Sequence, residues 1–298
     1  MYRTMGSSLV TLLGMAVALL SIGSWNHGVM AETSSATTTG IVPMPERWLP
    51  ESIELDENLM EWKDVVSCCR VAVEDESCPS SDADGSEQVV ALESITIGRM
   101  PQFTTEQTLS VLNVAESAWD GGAGPWTQMS LEERCTAMEK FFDELAKHRE
   151  EMVQALMMEI GKNRLDAEAE FDRTVQFAKQ VINIIRTDPE YIGAQWQTIG
   201  GTRALVRRSA IGIILALAPY NYPLNECYAV IIPALLMGNV IILKIPTTGG
   251  LVHLLTMEAF SKTLPKGTVN FISGSGRKTM PPLMETGKID GLGFIGGK

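Results

Sequence analysis

From Ala210 onward the chain alternates wholly apolar runs with amphipathic ones. "AIGIILAL" (210–217) is continuously apolar and predicts a buried strand. "NECYAVIIPALLM" predicts a helix that stops at Gly238, with Pro233 as a kink. "NVIILK" (239–244) predicts a second strand and "LVHLLTMEAFSKT" a second helix. "TVNFI" (268–272) reads as a third strand, "RKTMPPLMETGK" as a short helical piece, and "GLGFIGGK" as the start of a fourth strand. Apolar strands that alternate with helices predict a parallel sheet covered on both faces. The expected fold class is therefore α/β, with a doubly wound, Rossmann-like parallel sheet over about 210–298.

The preceding stretch has a different pattern. "ITIGRMP" reads as a strand near Ile95, followed by helical periodicity in "TTEQTLSVLNVAESAW". In "SLEERCTAMEKFFDELAKH", Ser130 and Glu133 form a capping box, and Leu131, Cys135, Met138, Phe142 and Leu145 share one face. A helix ending at Gly161 and a third from about Asp166 to Ile185 complete a helical block. "AQWQTIGGTRALVRR" places Gly200-Gly201 between two strand-like pieces, a hairpin signal over about 195–207.

Composition separates the N-terminal third from the rest. The chain has 298 residues and a net charge of −12. Residues 32–95 carry 15 acids and 3 bases, whereas 96–298 carry 21 acids and 20 bases. The body is almost neutral, without the basic face that nucleic-acid binding needs. Residues 32–94, rich in Ser, Thr, Asp and Glu, predict an acidic, weakly ordered leader, with order beginning near Ile95. Trp48 and Trp62 imply that part of this leader docks. Residues 1–31 hold Arg3, an apolar run of about 15 residues from Leu9 to Gly23, and "VMA" before Glu32. That pattern is a signal-peptide core directing the chain to the secretory pathway or an organelle, or alternatively an uncleaved membrane anchor. The five cysteines have no disulfide or zinc spacing and read as free thiols.

In a parallel sheet the turns after the strands share one edge, and ligands bind along it. Here that edge collects Asn221, Lys244 with Thr247, Gly274 with Gly276, and Gly296 with Gly297. An amide, an ammonium, a hydroxyl and glycine turns on one rim suit a nucleotide or phosphate. Spacing alone leaves alternatives open. Asn221 could cap the helix after Pro223, Lys244 could end its strand in solvent, and the glycines could only turn the chain. Cys227 reads as a small core residue, Arg173 as a helix arginine paired with Glu170, and His253 as a helix-face histidine.

"APYNYPLN…IIPALLMGNVIILKIPT" resembles the aldehyde dehydrogenase superfamily. "GPWTQMSLEER", "MEIGK", "EFDRT", "NYPLNE" and "KIDGLGFIGG" are similar to its non-phosphorylating, NADP-dependent glyceraldehyde-3-phosphate dehydrogenases. The resemblance covers about 95–298. It implies an NADP (or NAD) cofactor, a small-molecule aldehyde substrate, and Asn221 as the donor to the oxyanion. By the same resemblance Ala218, Pro219, Lys244, Thr247, Gly274 and Gly296 would hold the cofactor, with Lys244 on the adenosine ribose. Thr247 stands where NAD-preferring relatives commonly carry Glu, which favours NADP. Arg173 and Tyr222 match positions that approach the substrate phosphate, and the hairpin matches an oligomerisation arm.

The family mechanism also requires a cysteine nucleophile and a glutamate base, and both fall beyond the point matching Lys298. The expectation is therefore the N-terminal portion of an aldehyde-oxidising oxidoreductase, inactive alone. The alternatives are a non-catalytic interaction protein that pairs with a full-length paralogue, and a nucleotide-binding module.

Overall fold

The computed structural model describes residues 61–71, 91–188, 195–206 and 208–296. The signal-like run at 1–31, most of the acidic leader, and Gly297 lie outside the described residues.

The centre is a four-stranded parallel sheet in the order β7-β6-β5-β8. Its strands are β5 (Ile213–Leu217), β6 (Val240–Lys244), β7 (Val269–Ile272) and β8 (Gly291–Phe294). The chain starts in the middle at β5, steps outward to β6 and β7, then crosses back to β8 on the other side of β5. Strand order thus reverses between β5 and β8, the switch point at which open α/β sheets bind ligands.

Successive side chains of a strand point to opposite faces, and both faces here are apolar. Ile214, Ala216, Ile241 and Leu243 join one core with Leu224, Tyr228, Ile231 and Leu235 of α6 (Pro223–Leu236). Ile213, Leu215, Val240, Ile242 and Ile272 join a second core. That second core is closed by Leu112 and Ala115 of α1 (Thr105–Trp119) and by Leu283 of α9 (Gly276–Glu285). Helices on both faces explain why these strands read as unbroken apolar runs. The doubly wound expectation holds.

Helices α2 (Pro125–Gln128), α3 (Leu131–Ala146), α4 (Arg149–Ile160) and α5 (Arg164–Thr187) form the helical block. The capping box is present as read: Ser130 N–H donates to Glu133 Oε2 at 2.7 Å, and Glu133 N–H donates to Ser130 Oγ at 3.2 Å. The block is fastened to the C-terminus of α6, whose last carbonyls lack helical partners. Trp126 Nε1 donates to the Leu235 carbonyl at 3.1 Å, Thr127 Oγ1 to that of Gly238 at 2.8 Å, and Arg134 Nε to that of Leu236 at 2.8 Å. This gives the "GPWTQMSLEER" stretch its structural work. The hairpin β3 (Gln195–Ile199) and β4 (Thr202–Val206) turns at Gly200 and Gly201, with φ of 57° and 82°, values that favour glycine.

Three expectations are corrected. Order among the described residues begins at Glu61 rather than near Ile95, because β1 (Glu61–Val71) pairs antiparallel with β2 (Ala91–Gln102). The ribbon is held by Val65, Ile97 and Met100, which enter the main core. The helix expected over 251–263 is two short pieces, α7 (Leu251–Leu254) and α8 (Met257–Thr263). Thr256 Oγ1 donates to the His253 carbonyl at 2.7 Å and diverts it from a regular helical ladder. His253 is fully buried rather than on an open helix face, and its ring stacks on Tyr228 with centroids 6.3 Å apart. Among the described residues no helix is long and apolar enough to cross a membrane.

Candidate functional site

The four strand ends stand in register. Leu217 lies opposite Lys244 on one side and Phe294 on the other, and Lys244 lies opposite Ile272. The backbone ties continue one step further: Ala218 N–H donates to the Lys244 carbonyl at 3.3 Å, and Ile245 N–H to that of Ile272 at 2.8 Å. The loops carrying Ala218 to Tyr222, Ile245 to Gly250, Ser273 to Ser275, and Ile295 to Gly296 therefore leave from one edge. The sheet brings Ala218, Pro219, Asn221, Lys244, Thr247, Gly274 and Gly296 to one rim.

Asn221 is exposed and does not cap the following helix. The N-cap position of α6 is Tyr222, with no side-chain cap, and Pro223 opens the helix. The capping is supplied from α5 instead. Glu170, buried, accepts the N–H groups of Leu224 at 3.0 Å and Asn225 at 3.2 Å. A carboxylate at a helix N-terminus also meets the favourable end of the helix dipole. Glu170 is in turn ion-paired with Lys162 Nζ, which sits 3.5 Å from the centre of the Tyr222 ring. Among the described residues the amide of Asn221 is thus left uncommitted, at the end of a firmly held loop.

Lys244 is half-buried, and burial pulls its ammonium below the usual lysine range. Among the described residues no carboxylate pairs with it. A Cβ placed on Gly276, the first residue of α9, would lie 4.0 Å from Lys244 Cε, so the lysine stem runs beneath that helix start. A partly desolvated ammonium without a counter-ion suits a ligand that brings oxygen acceptors. These residues fit a nucleotide: a cation under a glycine-opened helix, and an exposed hydroxyl at Thr247.

The loop after β6 is held from α4. Glu159 accepts the N–H groups of Gly250 and Leu251, each at 2.9 Å. Burial pushes its carboxyl up, opposed by the N–H groups of Leu251, Gly250 and Gly249. The loop after β7 is held by the end of β2: Ser273 Oγ donates to the Pro101 carbonyl, and Phe103 N–H donates to that of Ser273 at 3.4 Å.

Arg173 does not pair with Glu170, whose carboxylate is taken by Lys162 and the α6 amides. It is exposed one turn further along α5 and makes no ion pair among the described residues. Tyr222 is tied to α5 through Lys162 and Glu170 instead. Cys227 is buried in the core as read, and burial pushes its thiol up, as it does that of Cys135.

Glu159, Lys162 and Glu170 are the site residues that sequence reasoning did not single out. A signal existed for the first: Glu159 interrupts the apolar run "ALMMEI" one residue before the helix ends.

The Aldehyde dehydrogenase family profile matches residues 80–298. A curated NADP-dependent glyceraldehyde-3-phosphate dehydrogenase of Streptococcus equinus is 31% identical over 67% of this chain and 42% of its own. The crystal structure of an NADP-dependent glyceraldehyde-3-phosphate dehydrogenase from Bacillus halodurans complexed with NADP superimposes with a TM-score of 0.61 at 26% identity. It covers 68% of this chain and 43% of that one. A betaine aldehyde dehydrogenase double mutant from Staphylococcus aureus, in complex with NAD+, shares the fold with a TM-score of 0.65 at 20% identity, over 80% of this chain and 42% of that one. The chain spans less than half the length of these relatives. Fold and sequence agree: this chain belongs to the aldehyde dehydrogenase family.

Proposed function

We propose that the chain supplies the nucleotide-binding and oxyanion-stabilising part of an NADP-dependent aldehyde dehydrogenase. The observation that carries this reading is Lys244: a half-buried ammonium without a carboxylate partner among the described residues, in register with the strand that delivers Asn221. NADP, when bound, supplies the hydride acceptor for aldehyde oxidation. Lys244 would donate to the hydroxyls of the adenosine ribose, and Thr247 would leave room for a 2′-phosphate. Ala218, Pro219, Gly274 and Gly296 would let the nucleotide approach the backbone. Both the Streptococcus and the Bacillus relatives are named as NADP-dependent.

Asn221 would donate its side-chain N–H to the aldehyde oxygen as negative charge develops there. One such donor is worth roughly 3 kcal/mol in a water-poor site. Its loop is held before substrate arrives, as this work requires. Arg173 and Tyr222 would approach a phosphate on the substrate, which makes glyceraldehyde 3-phosphate the aldehyde to test first. The two thiols whose side chains are described, Cys135 and Cys227, are buried and pushed up, which supports reading the chain as inactive in aldehyde oxidation alone. The hairpin exposes Trp196, Ile199 and Leu205, which favours its role as an association arm.

The test is to incubate the purified chain with NADP and glyceraldehyde 3-phosphate, following nucleotide binding and reduction together. Binding without reduction is expected. Reduction that disappears when one of the chain's cysteines is replaced would overturn the inactive reading. Failure of the chain to bind either nucleotide would overturn the nucleotide role.

A further inference from the structure

Two separate segments converge on Gly249. A Cβ placed there would lie 2.9 Å from the Tyr220 carbonyl oxygen, 3.2 Å from Pro223 Cγ and 3.3 Å from Ile160 Cγ2. The loop after β6 therefore touches both the Asn221 loop and the end of α4. Gly249 has φ of 80°, so glycine meets both the backbone and the space requirement there.

The α4 end is fastened to both loops by charge. Glu159 accepts the N–H groups of Gly250 and Leu251 on the Lys244 side. Three residues on, past the left-handed Gly161 that ends α4, Lys162 pairs with Glu170 and sits over the Tyr222 ring on the Asn221 side. Glu170 completes that side by holding Leu224 and Asn225. Four consecutive residues, 159 to 162, thus carry one clamp for each loop. Part-buried hydrogen bonds to charged groups are costly to break, so both ends resist displacement.

We infer that residues 159–162 form a bracket that fixes the separation of the Lys244 loop from the Asn221 loop, with Glu159 and Lys162 as positioning residues at its two ends. The inference rests on the proposed function only for what the two loops hold; the bracket itself is a property of the fold. Through it, a shift of the nucleotide loop is passed to the amide that faces the aldehyde. Segments with shared partners couple in this way, whereas independent ones do not.

Amide hydrogen exchange on the 298-residue chain tests this without nucleotide, comparing wild type with Glu159→Gln, Lys162→Met and Lys162→Arg. Glu159→Gln is expected to speed exchange at Leu224 and Asn225 by about fivefold, although neither amide bonds to residue 159. Lys162→Met is expected to do the same at Gly250 and Leu251, and Lys162→Arg to stay near wild type. Amides of α3 report global stability and should not change. Should Lys162→Met speed exchange throughout α3, Glu159→Gln decides alone. Effects confined to each variant's own loop would overturn the bracket. If NADPH fails to bind wild type while the cross-loop effect persists, the nucleotide role falls and the bracket stands. NADPH binding with confined effects has the opposite meaning.

Discussion

The carboxylate of Glu170, in the first third of α5, accepts the backbone N–H of Leu224 at 3.0 Å, across 54 residues of sequence. This contact does the capping that Asn221 could have done. It leaves the Asn221 amide available while its loop stays anchored, and it places a buried charge where a truncation is costly. Replacing Glu170 by Ala would leave two amides of α6 unpaired and Lys162 without its counter-ion. A loss of about 3 kcal/mol is expected, read as a lower denaturation midpoint in urea. Glu170→Gln should lose less, because its amide oxygen can still accept one N–H.

His253 makes stability depend on pH. Its ring is fully buried, both ring nitrogens lack partners among the described residues, and burial lowers its pKa from 6.5 to about 3. The ring is therefore neutral in the fold. Below pH 6.5 the unfolded chain takes up a proton that the folded chain refuses until about pH 3. Stability conferred by the neutral ring is thus lost as pH falls through that window, at up to about 1.4 kcal/mol per pH unit. His253→Phe keeps the stack on Tyr228 and removes the proton site. Urea midpoints measured across this range should fall less steeply in the variant than in wild type. Parallel curves would show that His253 does not set the acid limb.

Thr247 makes a prediction about nucleotide choice. A carboxylate there would repel a 2′-phosphate and accept ribose hydroxyls. Thr247→Glu should weaken NADPH binding by about tenfold and leave NADH binding equal or better. Calorimetric titration of both nucleotides checks this, and an unchanged ratio would place the 2′-phosphate elsewhere.

What could be read in the sequence was what is local or periodic. The Ser130–Glu133 box spans three residues, and the Gly200-Gly201 turn two, so adjacent letters specify them. The apolar runs at 213–217 and 240–244 report burial on both faces, which only a covered parallel strand needs here. Strand ends then placed Asn221 and Lys244 on one rim without any knowledge of partners. Part of β2 was legible in "ITIGRMP", but its partner β1 was missed, because a polar stretch separates the two strands and only Trp48 and Trp62 hinted at docking. The clamps were missed for a related reason. Periodicity says that Glu159 and Glu170 sit on helices, but not which distant amides they meet. At the break between α7 and α8 the Thr256 hydroxyl and backbone N–H both turn back to the His253 carbonyl, a local detail that periodicity does not report.

The most direct measurement is NADPH affinity of the wild-type chain compared with Lys244→Met, which keeps the buried stem and removes the ammonium. The account predicts saturable binding to wild type and a loss of about tenfold in the variant. No binding to wild type, or equal binding to both, would contradict the placement of a nucleotide at the carboxyl edge of this sheet.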